Sequence, residues 1–312
     1  MKERIILTEA PQAKELNMIV GWRQWADAGS ISSALPKYLV DLIGAKKIGE
    51  IPDDGFYLFQ IPGTHHLMRP VIKMNEGRRE SLERPTNEIY YAGDEEKGTL
   101  IFLGDEPHMN IDRYSNTFFD LVKMLDIKRV AVVAGVYGAM PYNRDREVGC
   151  MYSLDSMKEE LDRYSVRYSN YHGGASIGTY LLDQATRDGH EYFGFYGMTP
   201  AYEFPVSKDG EIEGAIDVPQ GIRIETDYKA WYDLTLRLDH MFKIGVDLAE
   251  LEKESQDLVE AIESRLEELE QEAPELDIRG YLASVDADFT ERSFNPLDDV
   301  WSSGFEDLFG EE

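Results

Sequence analysis

The stretch from Arg129 to Arg146, RVAVVAGVYGAMPYNRDR, constrains the fold more than any other. Val130 to Ala134 is an unbroken apolar run, too short for a helix and without the polar alternation of a strand wetted on one side. It reads as a central strand buried on both faces. Gly135 and Gly138 then permit a sharp turn, Pro141 disfavours helix at the residue before it, and Asn143 to Arg146 set two guanidiniums beside a carboxylate. Open α/β sheets build their binding edge from strands that end in Gly-rich polar loops of this kind.

The same grammar recurs along the chain. Met18 to Trp22 reads as a strand, RQWADAG as its loop, and Ile31 to Leu42 as a helix closed by Gly44. Lys46–Ile51, Phe56–Gln60, Arg69–Met74 and Asn87–Tyr91 are short β-leaning runs cut by Gly and Pro. Thr99–Leu103 is a strand ending in Gly104-Asp105-Glu106-Pro107-His108, followed by a helix with Tyr114, Phe118, Leu121 and Leu125 on one face. After a helix over Asp155–Tyr164 and a short strand at Val166–Tyr168, HGGASIG leads into a helix, and Glu191–Gly197 reads as a strand ending in the loop MTPAY. Pro205–Ile224 reads as a surface loop and Lys229–Gly245 as a helix. The alternation predicts an α/β fold, a mainly parallel sheet with helices on both faces and a C-terminal helical extension. Three regions are expected: a core domain over 1–246, a long amphipathic helix over 247–273, and an acidic, aromatic-containing tail over 274–312. The helix stripe from Leu248 to Leu269 fits either a short coiled-coil seam or a helix folded back on the core. In the tail, Trp301, Phe305, Leu308 and Phe309 share one helical face and form a candidate partner-docking segment, or a cap on the chain's own domain.

The net charge of −28 matters because of where it sits: from Asp247 onward 22 acidic residues face 4 basic ones, a net of −18. Phosphate backbones and anionic lipids are bound with Lys and Arg, so the chain is expected to bind neither nucleic acid nor membrane. The first residues, MKERIILTEAPQAKELNMIVGW, contain no continuous apolar segment of signal-peptide type, and Cys150 is the only cysteine, so a cytoplasmic protein is expected.

If the strands run parallel, the loops after Val20, Leu103, Val133 and Phe195 gather on one edge. They would present Trp22, Trp25, Asp27, Glu106, His108, Arg144 and Tyr202 to a shared crevice, with Gly29, Gly135 and Gly138 shaping the backbone. The alternative is that these are only the turns any such sheet needs. Gly173 and Gly174 in HGGASIG leave helix N-terminal amides free in the manner of a phosphate loop, but without the Lys-Ser/Thr ending, and the glycines equally suit close helix-to-strand packing. The adjacent His65 and His66 point to opposite faces of a strand, and the other histidines lack ligand spacing, so no metal and no cofactor are expected. Cys150 is expected to be buried, and Arg144 and Arg146 around Asp145 to form a structural ion-pair cluster.

Taken in order, GW-x-x-W-ADAG at Gly21–Gly29, DGFY-x-FQ at Asp54–Gln60, Arg69-Pro70, the Gly104–Pro107 turn, G-x-x-GAMP-x-NR at Gly135–Arg144, HGGASIG and TPAY resemble the proteasome assembly chaperone 2 family. The resemblance spans roughly residues 5 to 270. It implies a single α/β domain similar to the nucleoside phosphorylase type, a tendency to oligomerise, and a protein partner related to the proteasome, since eukaryotic and archaeal relatives act in proteasome α-ring assembly. The chain departs from it in ending Phe309-Gly310-Glu311-Glu312, where chaperones that dock in proteasome pockets end in hydrophobic-Tyr-any. The leading expectation is therefore a non-enzymatic, homo-oligomeric assembly or interaction factor. A second is a binder of, or enzyme for, a nucleoside or phosphorylated metabolite, with Asp27 and Glu106 as acid/base groups and Arg144 holding an anion. A third is a structural oligomer built on the Leu248–Leu269 stripe.

Overall fold

The apolar run at 130–134 lies in the middle of a ten-stranded sheet, where strands on both sides and helices on both faces exclude water. The computed structural model describes residues 4–60, 69–203 and 221–296. His65, His66 and the tail residues Trp301, Phe305, Leu308 and Phe309 lie outside them. In chain order the strands are β1 (Ile6–Leu7), β2 (Glu15–Arg23), β3 (Lys46–Glu50), β4 (Val71–Asn75), β5 (Arg78–Glu83), β6 (Asn87–Gly93), β7 (Lys97–Asp105), β8 (Ile127–Gly138), β9 (Val148–Tyr152), β10 (Arg167–Tyr168), β11 (Glu191–Glu203) and β12 (Gly221–Arg223). The helices are α1 (Leu35–Leu42), α2 (Ile111–Met124), α3 (Lys158–Leu161), α4 (Ile177–Asp188), α5 (Tyr228–Phe242), α6 (Ala249–Glu272) and α7 (Ile278–Asp288).

The sheet order is β1-β3-β6-β7-β2-β8-β11-β9-β10, with β12 on β11. Its centre, β7-β2-β8-β11, is all parallel, while β6, β3 and β1 on one side and β9 and β12 on the other join antiparallel. Alternation along each central strand divides the core. Ile19, Ile101, Val133 and Phe195 face Leu35 and Leu39 of α1 and Trp231, Leu234 and Leu238 of α5. Val20, Phe102 and Val132 face Phe118 of α2 and Leu181 of α4. The expected α/β class, with helices on both faces, is what these contacts produce.

Three local expectations change. Gly135 to Gly138 do not turn; β8 runs on, paired with β11 as far as Gly138 opposite Pro200. Met198 to Tyr202 are not a loop but the end of β11. Proline is tolerated there because the Met198 N–H points to the β9 side, donating to the Glu147 carbonyl at 2.9 Å, and Pro200, two residues on, points the same way, past the end of β9 pairing at Gly197. Phe56–Gln60 is irregular rather than a strand, its backbone tied to the loop after β7. Beyond α5, the Leu248–Leu269 stripe folds back: Leu251 joins the α5 face of the core, while Ile262, Leu266 and Leu269 form a third cluster with Tyr142, Tyr202, Ile224 and Ile278.

Candidate functional site

The loop after β2 is built on left-handed backbone. Gln24 (φ 102°), Ala26 (53°) and Ser30 (53°) adopt positive φ without being glycine, and Gly29 (63°) lies between them. Such conformations persist only where neighbours over-determine them. Here Asp27 Oδ1 accepts from the N–H of Ser32 (3.0 Å) and of Ser33 (2.9 Å), and the Gly29 carbonyl accepts from Trp231 Nε1 and the Asp227 N–H, both at 3.0 Å. A Cβ at Gly135 would stand 2.0 Å from the Ala28 carbonyl oxygen, so glycine is required for the loop to lie on β8, where the Gly135 N–H donates to Ala26 O at 2.7 Å. The outcome is Trp25 held outward, 59% exposed.

Trp22, three residues earlier, is buried against Phe102 and Phe118. Its indole N–H donates to Tyr114 Oη (2.8 Å), whose hydroxyl donates to Asn87 Oδ1 (2.8 Å). Arg23 lays its fork on Asp105 (2.8 and 2.9 Å) and donates to Thr86 Oγ1 (3.0 Å). These contacts fix the ends of β2 and β7 together; burial pushes the Tyr114 and Tyr57 hydroxyls well above their ordinary range.

His108 joins three segments. Its Nδ1 accepts the Leu58 N–H (3.2 Å), its Nε2 lies 3.1 Å from Gln24 Oε1, and the N–H groups of His108 and Met109 both donate to the Phe56 carbonyl. Burial lowers its pKa, favouring the neutral ring that this pattern uses, with Nε2–H donating. Trp25, Phe59 and Met109 follow Gln24, Leu58 and His108 in the chain and stand 59%, 62% and 43% exposed. Glu106, beside them, accepts the Ile177 N–H at 2.6 Å at the start of α4; burial raises its carboxyl, the amide partly opposing that. Gly173 and Gly174 are exposed ahead of the α4 cap Ser176, with Tyr171 67% exposed and its hydroxyl donating to the Gly174 carbonyl at 3.1 Å, and the close helix-to-strand approach is made instead by Gly178, whose Cβ would lie 3.1 Å from Val132.

The remaining candidates serve the packing of the C-terminal segment. Arg144 pairs with Asp286 (3.3 Å) and Glu291 (3.5 Å). Gly138 makes room for the Met198 side chain, and Tyr202 is buried, its hydroxyl donating to the Met140 carbonyl at 2.6 Å. A half-open cavity of about 680 Å³ lies here, lined among others by Met140, Glu147, Arg167, Met198, Tyr281 and Arg292. Beneath it, Arg146 is fully buried with its fork on Asp227 (2.9 and 3.2 Å), and its N–H donates to Asp233 (2.8 Å), whose carboxyl burial pushes up to about 6. Phe294 covers the buried Arg237 at 5.1 Å. Gln24, Leu58, Asp227, Asp233 and Arg237 were not among the expected site residues; Asp233 and Arg237, four apart within the apolar face of α5, carried the one visible signal. Cys150 is buried and its thiol pushed up to about 12.

The assembled edge thus carries exposed apolar side chains, Trp25, Phe59 and Met109 among them, while Asp27 and Glu106 accept from backbone amides and Arg23 pairs with Asp105. This defines a class: an α/β protein with a mixed, mostly parallel sheet, helices on both faces, and a pre-set loop surface at the carboxyl ends of its central strands. The PAC2 family profile matches residues 21–268, and the chain belongs to the PAC2 family. Among solved structures, a proteasome-assembly chaperone homologue of Mycobacterium tuberculosis is 18% identical, with a TM-score of 0.66, covering 80% of this chain and 94% of its own. A Corynebacterium glutamicum protein of unknown function is 16% identical (TM-score 0.69; 97% and 99% covered), and an archaeal proteasome activator of Pyrococcus furiosus 17% identical (0.58; 83% and 97%). No curated protein matches the chain.

Proposed function

We propose that this protein is a non-enzymatic, homo-oligomeric assembly factor of the cytoplasm that engages a proteasome-related protein partner through the carboxyl-edge rim. The observation that carries the reading is the exposed trio Trp25, Phe59 and Met109, each next in the chain to a residue of the Gln24–His108–Leu58 hydrogen-bond set. Exposed apolar side chains on a rigid support suit protein recognition, where aromatic anchors contribute most of the affinity. The proteasome connection is taken from the family and from the relatives described as an assembly-chaperone homologue and an activator. The non-enzymatic part is supported by the commitment of Asp27 to two loop amides, of Glu106 to the α4 amide and of Arg144 to two carboxylates.

Trp25→Ala should weaken capture of 20S proteasome subunits by about 30-fold, the ~2 kcal/mol of an anchor residue, while changing stability by no more than ~0.5 kcal/mol. Quantitative pull-down and thermal melting check the two halves, and unchanged capture would overturn the role of the rim. The cavity beside α7 favours a second reading, binding of a small molecule. Native mass spectrometry of protein from its own cells separates the two: a bound mass of a few hundred daltons without protein partner supports the second.

A further inference from the structure

The segment that follows α7 lies across the body of the protein without regular structure of its own. Residues 289–295 form neither helix nor strand, and Glu291, Arg292 and Ser293 are exposed. A short set of contacts holds them. Arg144 takes both Asp286 and Glu291, and Glu291 also accepts the Asp145 N–H at 3.0 Å. Arg292 donates to the Val166 carbonyl at 3.3 Å, next to the edge strand β10. Three residues after Glu291, the Phe294 ring stacks on Tyr164 at 5.3 Å, meets His240 edge to face at 5.7 Å and covers Arg237 at 5.1 Å.

The slot under that ring has an unusual floor. Arg237 is 1% exposed with Phe294 in place, and its guanidinium donates to two carbonyls, of Tyr164 (2.9 Å) and of Asp233 (2.7 Å), rather than to a carboxylate. A buried cation without an anion is costly, and an aromatic face laid on it offsets part of that cost. Lifting the segment would leave Arg237 without its ring and Arg144 without either of its carboxylates. Exposed ion pairs are weak and screened, so a segment held by two of them and one ring is exchangeable. We infer that this slot is a peptide-binding site occupied in cis: it takes a segment of a partner protein with a carboxylate three residues before an aromatic ring, and Glu291 and Phe294 hold that segment's place. A body of net −28 repels acidic segments in general, and Arg144, once uncovered, admits one here. The site goes beyond the reading above and uses none of Trp25, Phe59, Met109 and His108, so either can fail alone.

Fluorescence anisotropy with labelled peptides on the full-length protein tests it. The first probe is the segment itself, residues 286–296 (DADFTERSFNP), and the second is a Gly/Ser peptide that retains only Glu-x-x-Phe. The tethered segment competes at an effective concentration of about millimolar, so the wild type should bind both weakly and Phe294→Ala should bind both about tenfold more tightly. Glu291→Lys in the first peptide should remove the gain, and Arg144→Glu in the Phe294→Ala protein should restore it. Phe294 is half-buried, so melting accompanies the titration. Should Phe294→Ala fail to fold, Glu291→Lys in the protein loosens the same segment from the surface and should tighten binding of both probes. A folded variant that binds neither probe more tightly than the wild type would make Phe294 a plain cap on α5 and overturn the site. Tighter binding of the first probe alone would restrict the slot to its own chain and overturn the partner.

Discussion

Asp233 shows how far one residue's chemistry depends on its surroundings. On a helix surface it would ionise near pH 4, but α5 turns it into the interior, and burial holds its carboxyl at about 6 despite the Arg146 amide that donates to it. Between those two values the folded state binds the proton that the unfolded chain has released, so this group's contribution makes stability fall as pH rises through the window. Asp233→Asn keeps an oxygen for the Arg146 N–H and removes the cost of ionisation. The variant should match the wild type near pH 4 and exceed it by roughly 3 kcal/mol above pH 6, read from denaturant unfolding at each pH. A difference that does not change with pH would assign the site no titration. At this scale the sequence was a fair guide to residue type and a poor one to direction. Trp22 and Trp25 are three apart in one loop motif, yet β-strand alternation sends the first into the α2–α4 face, and the left-handed backbone at Gln24 and Ala26 sends the second into solvent.

At the scale of elements, the central strands were legible because burial on both faces leaves only apolar residues, as at Val130–Ala134. Their ends were not, since glycine at 135 and 138 looks like a turn until the Ala28 carbonyl is seen 2.0 Å from the place a Cβ would occupy. The amphipathic stripe of α6 was plain, and its partner was not. A stripe of Leu at threes and fours fits a second helix of another molecule as well as its own core. Ile262, Leu266 and Leu269 meet Tyr142, Tyr202 and Ile278 of the same chain. Leu266→Ala should therefore cost about 2–5 kcal/mol by urea denaturation. A loss below about 1 kcal/mol, the level of a surface change, would show that α6 melts apart from the sheet.

For the whole molecule, charge is the dominant long-range force. A net −28, of which −18 follows residue 246, sets much of the surface against itself, and salt should relieve this. Raising salt from about 0.05 M to about 0.5 M shortens screening from beyond 10 Å to a few Å and should raise the melting temperature by several degrees. Calorimetry on the wild type at a fixed low protein concentration checks this, and a flat or falling melting temperature would give the surface ion pairs the larger share. The same scale governs what could be read in advance. The sequence by itself determined the α/β class, the buried central strands, the amphipathic C-terminal helix and the uneven charge, because periodicity and composition are local properties that burial imposes residue by residue. Only the tertiary structure decided that α6 folds back, that Asp27, Glu106 and Arg144 are bound within the chain, that His108 ties together the segments of Gln24 and Leu58, and that β4 is exposed along its length. Those facts depend on which distant backbones approach within a few ångströms of one another, and strand pairing between residues far apart in the chain sets that.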